Sequence, residues 1–143
     1  MSVWVLIAVL AATLAAWHDI RDRTIPNWLT LPLIVLGSIV SLFQRGWLIT
    51  LCTLIVGTVV CEILARMNAF GGGDLKLLLG LTMLGGPLYG LATFYVSLLA
   101  ALPVFAVYMI RQRTLRPCVP YAVPILLAVV WLAWSGGVAR GPF

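Results

Sequence analysis

The chain has 143 residues, 63% of them hydrophobic and only 9% charged, with a mean hydropathy of +1.13. A soluble domain is roughly 45–50% apolar, so the composition is that of an integral membrane protein, and the polar stretches between apolar runs leave no room for an attached soluble domain. The net charge of +5 sits on basic residues scattered through short turns, with no continuous patch; that excludes a nucleic-acid interface and ties the charge to orientation in a bilayer.

Six apolar runs predict an all-α, polytopic membrane protein with a single domain over residues 1–143. The first, Val3 to Trp17, falls short of the roughly 20 residues that a bilayer asks for, so the helix is expected to continue through Asp19. That keeps Asp19 near the interface. The run lacks a basic leading segment and a small-residue cleavage site, and is not read as a removed signal peptide. After Ile25-Pro26-Asn27 come the second and third runs, Trp28 to Phe43 and Trp47 to Ala65. Cys52 and Cys61 share the third run at a separation of roughly 13 Å, too far for a disulfide. With Cys118 they are read as apolar packing. Glu62 has Arg66 four residues on, the order that favours a helical ion pair.

The fourth run, Leu75 to Leu84, follows Gly71-Gly72-Gly73-Asp74 and is about 15 Å long as a helix. Either its helix starts within the glycines and runs past Gly86, or it is re-entrant and the spans number five. The fifth and sixth runs are Leu88 to Ile110 and Ala122 to Val138. The charges favour six. With the amino terminus outside, Arg21, Arg23, Arg66, Lys76, Arg111, Arg113 and Arg116 fall on the cytoplasmic side, leaving Arg45 and Arg140 outside. A five-span count would strand the Arg111 to Arg116 cluster on the far side. Both termini are therefore expected outside, with Trp4, Trp47, Trp131 and Trp134 toward the outer face and Trp17 and Trp28 at the inner one.

In this topology Asp19 ends the first span and Asp74 begins the fourth on the same side of the membrane. The chain has only four acidic residues, so two of them at helix ends on one face form a candidate site. Two carboxylates within hydrogen-bond reach in a low dielectric share a proton. One then deprotonates a water while the other polarises a carbonyl, which is the chemistry of an aspartic protease. Gly71, Gly72 and Gly73 let the backbone turn sharply and approach a substrate strand. They are expected to form a mobile turn outside the packed bundle, where a Gly73→Val change slows turnover at little cost in stability.

Taken together, Asp-x-Arg-x-x-x-Ile-Pro-Asn, the following Trp28-Leu29-Thr30-Leu31-Pro32-Leu33, Gly-x-Gly-Asp-x-Lys and Pro120-Tyr121-Ala122-Val123-Pro124 resemble the prepilin peptidases, aspartic membrane proteases of type IV pilin and pseudopilin precursors. The resemblance places the catalytic pair on Asp19 and Asp74. It implies a multi-pass protein of the inner (cytoplasmic) membrane acting on a prepilin or pseudopilin at the lipid surface, without metal or other cofactor; a homo-oligomer is compatible with it. Asp22, between two arginines, is read as neutralising charge, and His18 as an interfacial residue. Pro26, Asn27 and Lys76 are assigned to substrate binding or site support, with Lys76 equally suited to anchoring orientation. Larger members carry a cytoplasmic domain with paired CxxC motifs linked to methylation. The cysteine pairs are absent here, so the compact peptidase-only form of Flp/Tad or preflagellin systems is expected. The alternatives are a presenilin-like or signal-peptide-peptidase-like intramembrane protease, against which His18 stands where those enzymes have tyrosine, and a small transporter or assembly subunit. Cysteines introduced at Thr24 and Ala69 should react with impermeant reagents only from the cytoplasmic side; labelling from outside would sink the six-span topology.

Overall fold

The computed structural model describes residues 3–67, 71–112 and 120–135. They form six helices: α1 (Val3–Asp22), α2 (Asn27–Arg45), α3 (Trp47–Arg66), α4 (Gly72–Gly85), α5 (Pro87–Gln112) and α6 (Ala122–Ser135). There is no strand among the described residues. Four of them, α1, α2, α3 and α5 as far as Tyr108, are long and apolar enough to cross a membrane. The protein is an all-α polytopic membrane protein. Ala69, Arg113, Arg116, Cys118, Val138 and Arg140, which the sequence reading used, lie outside the described residues.

As expected, α1 continues through Asp19, ending at Asp22. Arg23 adopts a left-handed φ of 52° and its amide donates to the Asp19 carbonyl at 3.0 Å, which stops the helix. The fourth helix does start within the glycines, at Gly72, but it ends at Gly85 instead of running past Gly86. Its 14 residues span about 21 Å. Length matters less here because α4 is the central helix: Leu75, Leu77, Leu79, Leu81, Met83 and Leu84 are buried around its whole circumference by α2, α3, α5 and α1. A helix that is apolar all round is a core helix. By contrast α3 buries only Thr50 and turns Ile55, Val56, Val59, Val60 and Ile63 outward, a lipid-facing surface.

Small residues set the closeness of packing. In α1 the buried face is Ala8, Ala11, Ala12, Ala15 and Ala16, which lets α6 and α4 approach without interdigitating large side chains. Where α2 crosses α4, a Cβ on Gly37 would lie 2.7 Å from the Met83 Cβ and 2.8 Å from the Leu84 amide nitrogen. One Cβ on Gly80 would meet Leu33 at 2.9 Å. The α2–α3 and α4–α5 links are the single residues Gly46 and Gly86, at φ of 84° and 94°, a region that only glycine enters without strain. At that end Arg45 also donates to the Met83 carbonyl at 3.3 Å.

Gly37→Ala should force α2 away from α4, because its Cβ meets backbone as well as side chain. The expected loss is about 1–3 kcal/mol, read as a lowered melting temperature in detergent.

Candidate active site

Asp19 continues the alanine face of α1. Positions 8, 12, 15 and 19 fall on one side of a 3.6-residue helix, so the carboxyl is carried inward and is buried. Its Oδ2 accepts the backbone N–H of Ala122, the first residue of α6, at 3.0 Å. That amide is one of the orphan donors that every helix start exposes, and here a residue from another helix satisfies it. Asp22, three positions on, is 53% exposed, with its Oδ2 3.5 Å from His18 Nδ1. The acid expected to neutralise its flanking arginines thus faces His18, whose ring meets Trp28 edge-on at 5.6 Å.

Asp74 sits in the first turn of α4 behind the N-cap residue Gly71. Its carboxyl reaches back to the Gly71 amide, in the manner of the acidic residue of a capping box. The Oδ1 atom of Asp74 is buried and has no hydrogen-bond partner among the described residues. Asp19 is near enough for its charge to act on Asp74, yet no hydrogen bond joins the two carboxyl groups. The helix ends thus bring the two acids into electrostatic contact and leave them short of direct pairing. Charge on Asp74 also reaches the phenol of Tyr121.

Lys76 and Asn27, assigned together from sequence, meet: Lys76 Nζ donates to Asn27 Oδ1 at 2.9 Å and so joins the starts of α2 and α4. Pro26 is the N-cap of α2, and its carbonyl accepts the Leu29 amide at 3.1 Å. Glu62 and Arg66 form the expected ion pair at 2.9 Å on an exposed surface, where such a pair is worth about 0–1 kcal/mol. Cys61 approaches the Leu75 carbonyl at 3.5 Å, and Cys52 is exposed instead of packed.

The glycines differ from the expected mobile turn. Gly72 and Gly73 belong to α4, and a Cβ on Gly73 would stand 2.9 Å from the Cβ of Ile25. Gly73 is thus a packed contact between the two acidic motifs. Gly71 is constrained by Asp74, whose Oδ2 a Cβ would meet at 2.9 Å, while nothing lies within 4 Å of one at Gly72.

The model of the type IV leader peptidase family matches residues 5–110, which contain both acidic motifs. The chain belongs to that family. It is similar to the prepilin peptidase EppA of Methanothermobacter thermautotrophicus, at 31% identity over 134 residues, covering 89% of this chain and 34% of the relative. The chain thus spans about a third of that relative's length. No solved structure matches it.

Sequence reasoning passed over the groups around Asp19 other than its neighbours in the chain. The signal lies in the alanine spacing of α1, which selects Asp19 over Asp22 as the inward acid, and in the Tyr121-Ala122 step ahead of the last apolar run. Among the glycines, Gly72→Ala should leave stability unchanged or raise it by up to about 1 kcal/mol. Gly73→Ala must displace Ile25 and should lower it by about 1–3 kcal/mol. Thermal melting of the two variants in one detergent checks the contrast.

Proposed function

We propose that this member of the leader peptidase family is an aspartic endopeptidase that removes the short basic leader of prepilin-like precursors, with Asp19 and Asp74 activating water. The observation that carries the reading is the pair of acids at one end of the bundle, each held by a backbone amide and coupled by charge. In the reaction one carboxylate takes a proton from water as its oxygen attacks the scissile carbonyl. The protonated partner donates to the carbonyl oxygen, and collapse of the tetrahedral intermediate expels the new amino terminus with a proton. The buried Oδ1 of Asp74, without a partner among the described residues, is suited to hold that water or carbonyl.

Other residues of the site take supporting parts. Gly71, Gly72 and Gly73 bring backbone close to the dyad, and the exposed Lys76–Asn27 pair, next to Pro26, lies where a substrate main chain could be bound. The single domain sits in the cytoplasmic membrane with this end at the cytoplasmic face, where a basic leader meets the apolar helix of its precursor.

Asp19→Asn and Asp74→Asn should each reduce cleavage of a candidate precursor in liposomes by more than about 10³-fold while the protein stays folded. Asp22→Asn should keep substantial activity. Mass measurement of the precursor's amino terminus reports the cut; an active Asp19→Asn beside a dead Asp22→Asn would overturn the assignment. Transport surviving both replacements, without cleavage, would favour a channel-like role.

A further inference from the structure

The start of α6 lies in the Pro120-Tyr121-Ala122-Val123-Pro124 segment, to which the sequence attaches no role in the site. Ser97, in α5, is fully buried and its hydroxyl donates to the Phe94 carbonyl at 2.8 Å. With that hydrogen committed, the 3.2 Å contact between Ser97 and Tyr121 has the phenol O–H of Tyr121 as donor. Tyr121 immediately precedes α6, and its carbonyl accepts the Ile125 amide at 3.4 Å, which makes it the helix's N-cap residue. The next amide, from the fully buried Ala122, is the one that Asp19 accepts. A continuous chain of contacts therefore runs from α5 through Tyr121 and the Ala122 N–H to one oxygen of Asp19.

We propose that Tyr121 and the Ala122 amide are positioning groups of the aspartate site: the phenol anchored on Ser97 holds the start of α6 where the amide fixes the Asp19 carboxyl. This rests on the peptidase reading given above. Fixing Oδ2 restricts rotation of the carboxyl and leaves its second oxygen for the reacting water. A carboxylate free to turn loses the near-attack geometry on which the rate depends. Burial of Ala122 keeps water from substituting for the amide.

Two measurements test the proposal. Tyr121-Ala122 is the only Tyr-Ala step in the sequence, so carbonyl-¹³C tyrosine with ¹⁵N alanine labels a single amide resonance, that of Ala122. In the folded protein its proton should resonate downfield and exchange slowly, and Asp19→Asn should move it upfield. An unmoved resonance means the contact is not made and overturns the proposal, whatever the peptidase does. The second measurement is cleavage in liposomes. Ala122→Pro removes the N–H at the first helical position, where proline is well accepted, and adds ring atoms at a buried site. Tyr121→Phe removes the Ser97 contact and leaves the amide in place. Both should lower kcat by about ten- to a hundredfold with KM near the parent value, and both should change the pH profile of kcat. Tyr95→Phe, on the exposed side of α5, should match the parent. Should Ala122→Pro fail to fold, as melting in detergent would show, Tyr121→Phe decides alone. A folded Tyr121→Phe with parental kcat and pH profile overturns the proposal. A parent chain that cleaves no precursor overturns the peptidase reading, and the positioning role falls with it even if the resonance responds to Asp19→Asn.

Discussion

A carboxyl group inside a helix bundle is tolerated only where hydrogen-bond donors answer it, since an unanswered charge in a low dielectric is among the most destabilising features a membrane protein can carry. Here the donors are backbone amides at helix starts. Asp19 takes the first amide of α6 and Asp74 the amide that caps α4. The positive ends of two helix dipoles are thereby brought to the two acids. Much of the architecture follows from that need: α1 must run past Trp17 to deliver Asp19, α6 must begin beside it, and α4 must begin so that Asp74 falls in its first turn.

Those placements depend on packing at close range. The alanine face of α1 admits α6 near enough for its amide to reach across, and Gly37 and Gly80 let α2 and α4 nearly touch backbones. The same closeness brings Asn27 within reach of Lys76 and Ile25 against Gly73, so the two acidic motifs are joined by a hydrogen bond and by a steric fit. Large side chains at any of these positions would separate the helix starts before they disturbed the lipid-facing surface, which α3 shows to be almost free of buried contacts.

Much of this was legible in the sequence, for identifiable reasons. Helix number followed from apolar runs, and the acids stood out because ionisable residues are scarce in such a chain. The Glu62–Arg66 pair followed from local spacing, and local interactions are what sequence reports best. The short fourth run was harder. Its ten apolar residues are too few to cross lipid, but α4 is wrapped by other helices. Gly73 reads as a flexible link in the sequence because its partner, Ile25, is remote along the chain. The Asp19–Ala122 bond spans more than a hundred residues and involves a backbone donor, which no residue type announces.

The two single-residue links, Gly46 and Gly86, both lie at the end of the bundle away from the aspartates. A connection of one residue has almost no slack, and the Arg45 contact with the Met83 carbonyl clasps that end further. The links at the opposite end are longer, four residues between α1 and α2 and five between α3 and α4. One end is therefore fixed by the backbone itself, whereas the end where the acids sit is fixed by contacts between helices: Lys76 with Asn27, Ile25 against Gly73 and Asp19 on the Ala122 amide. Substitutions that loosen those contacts would disturb the acids while leaving the other end of the bundle closed.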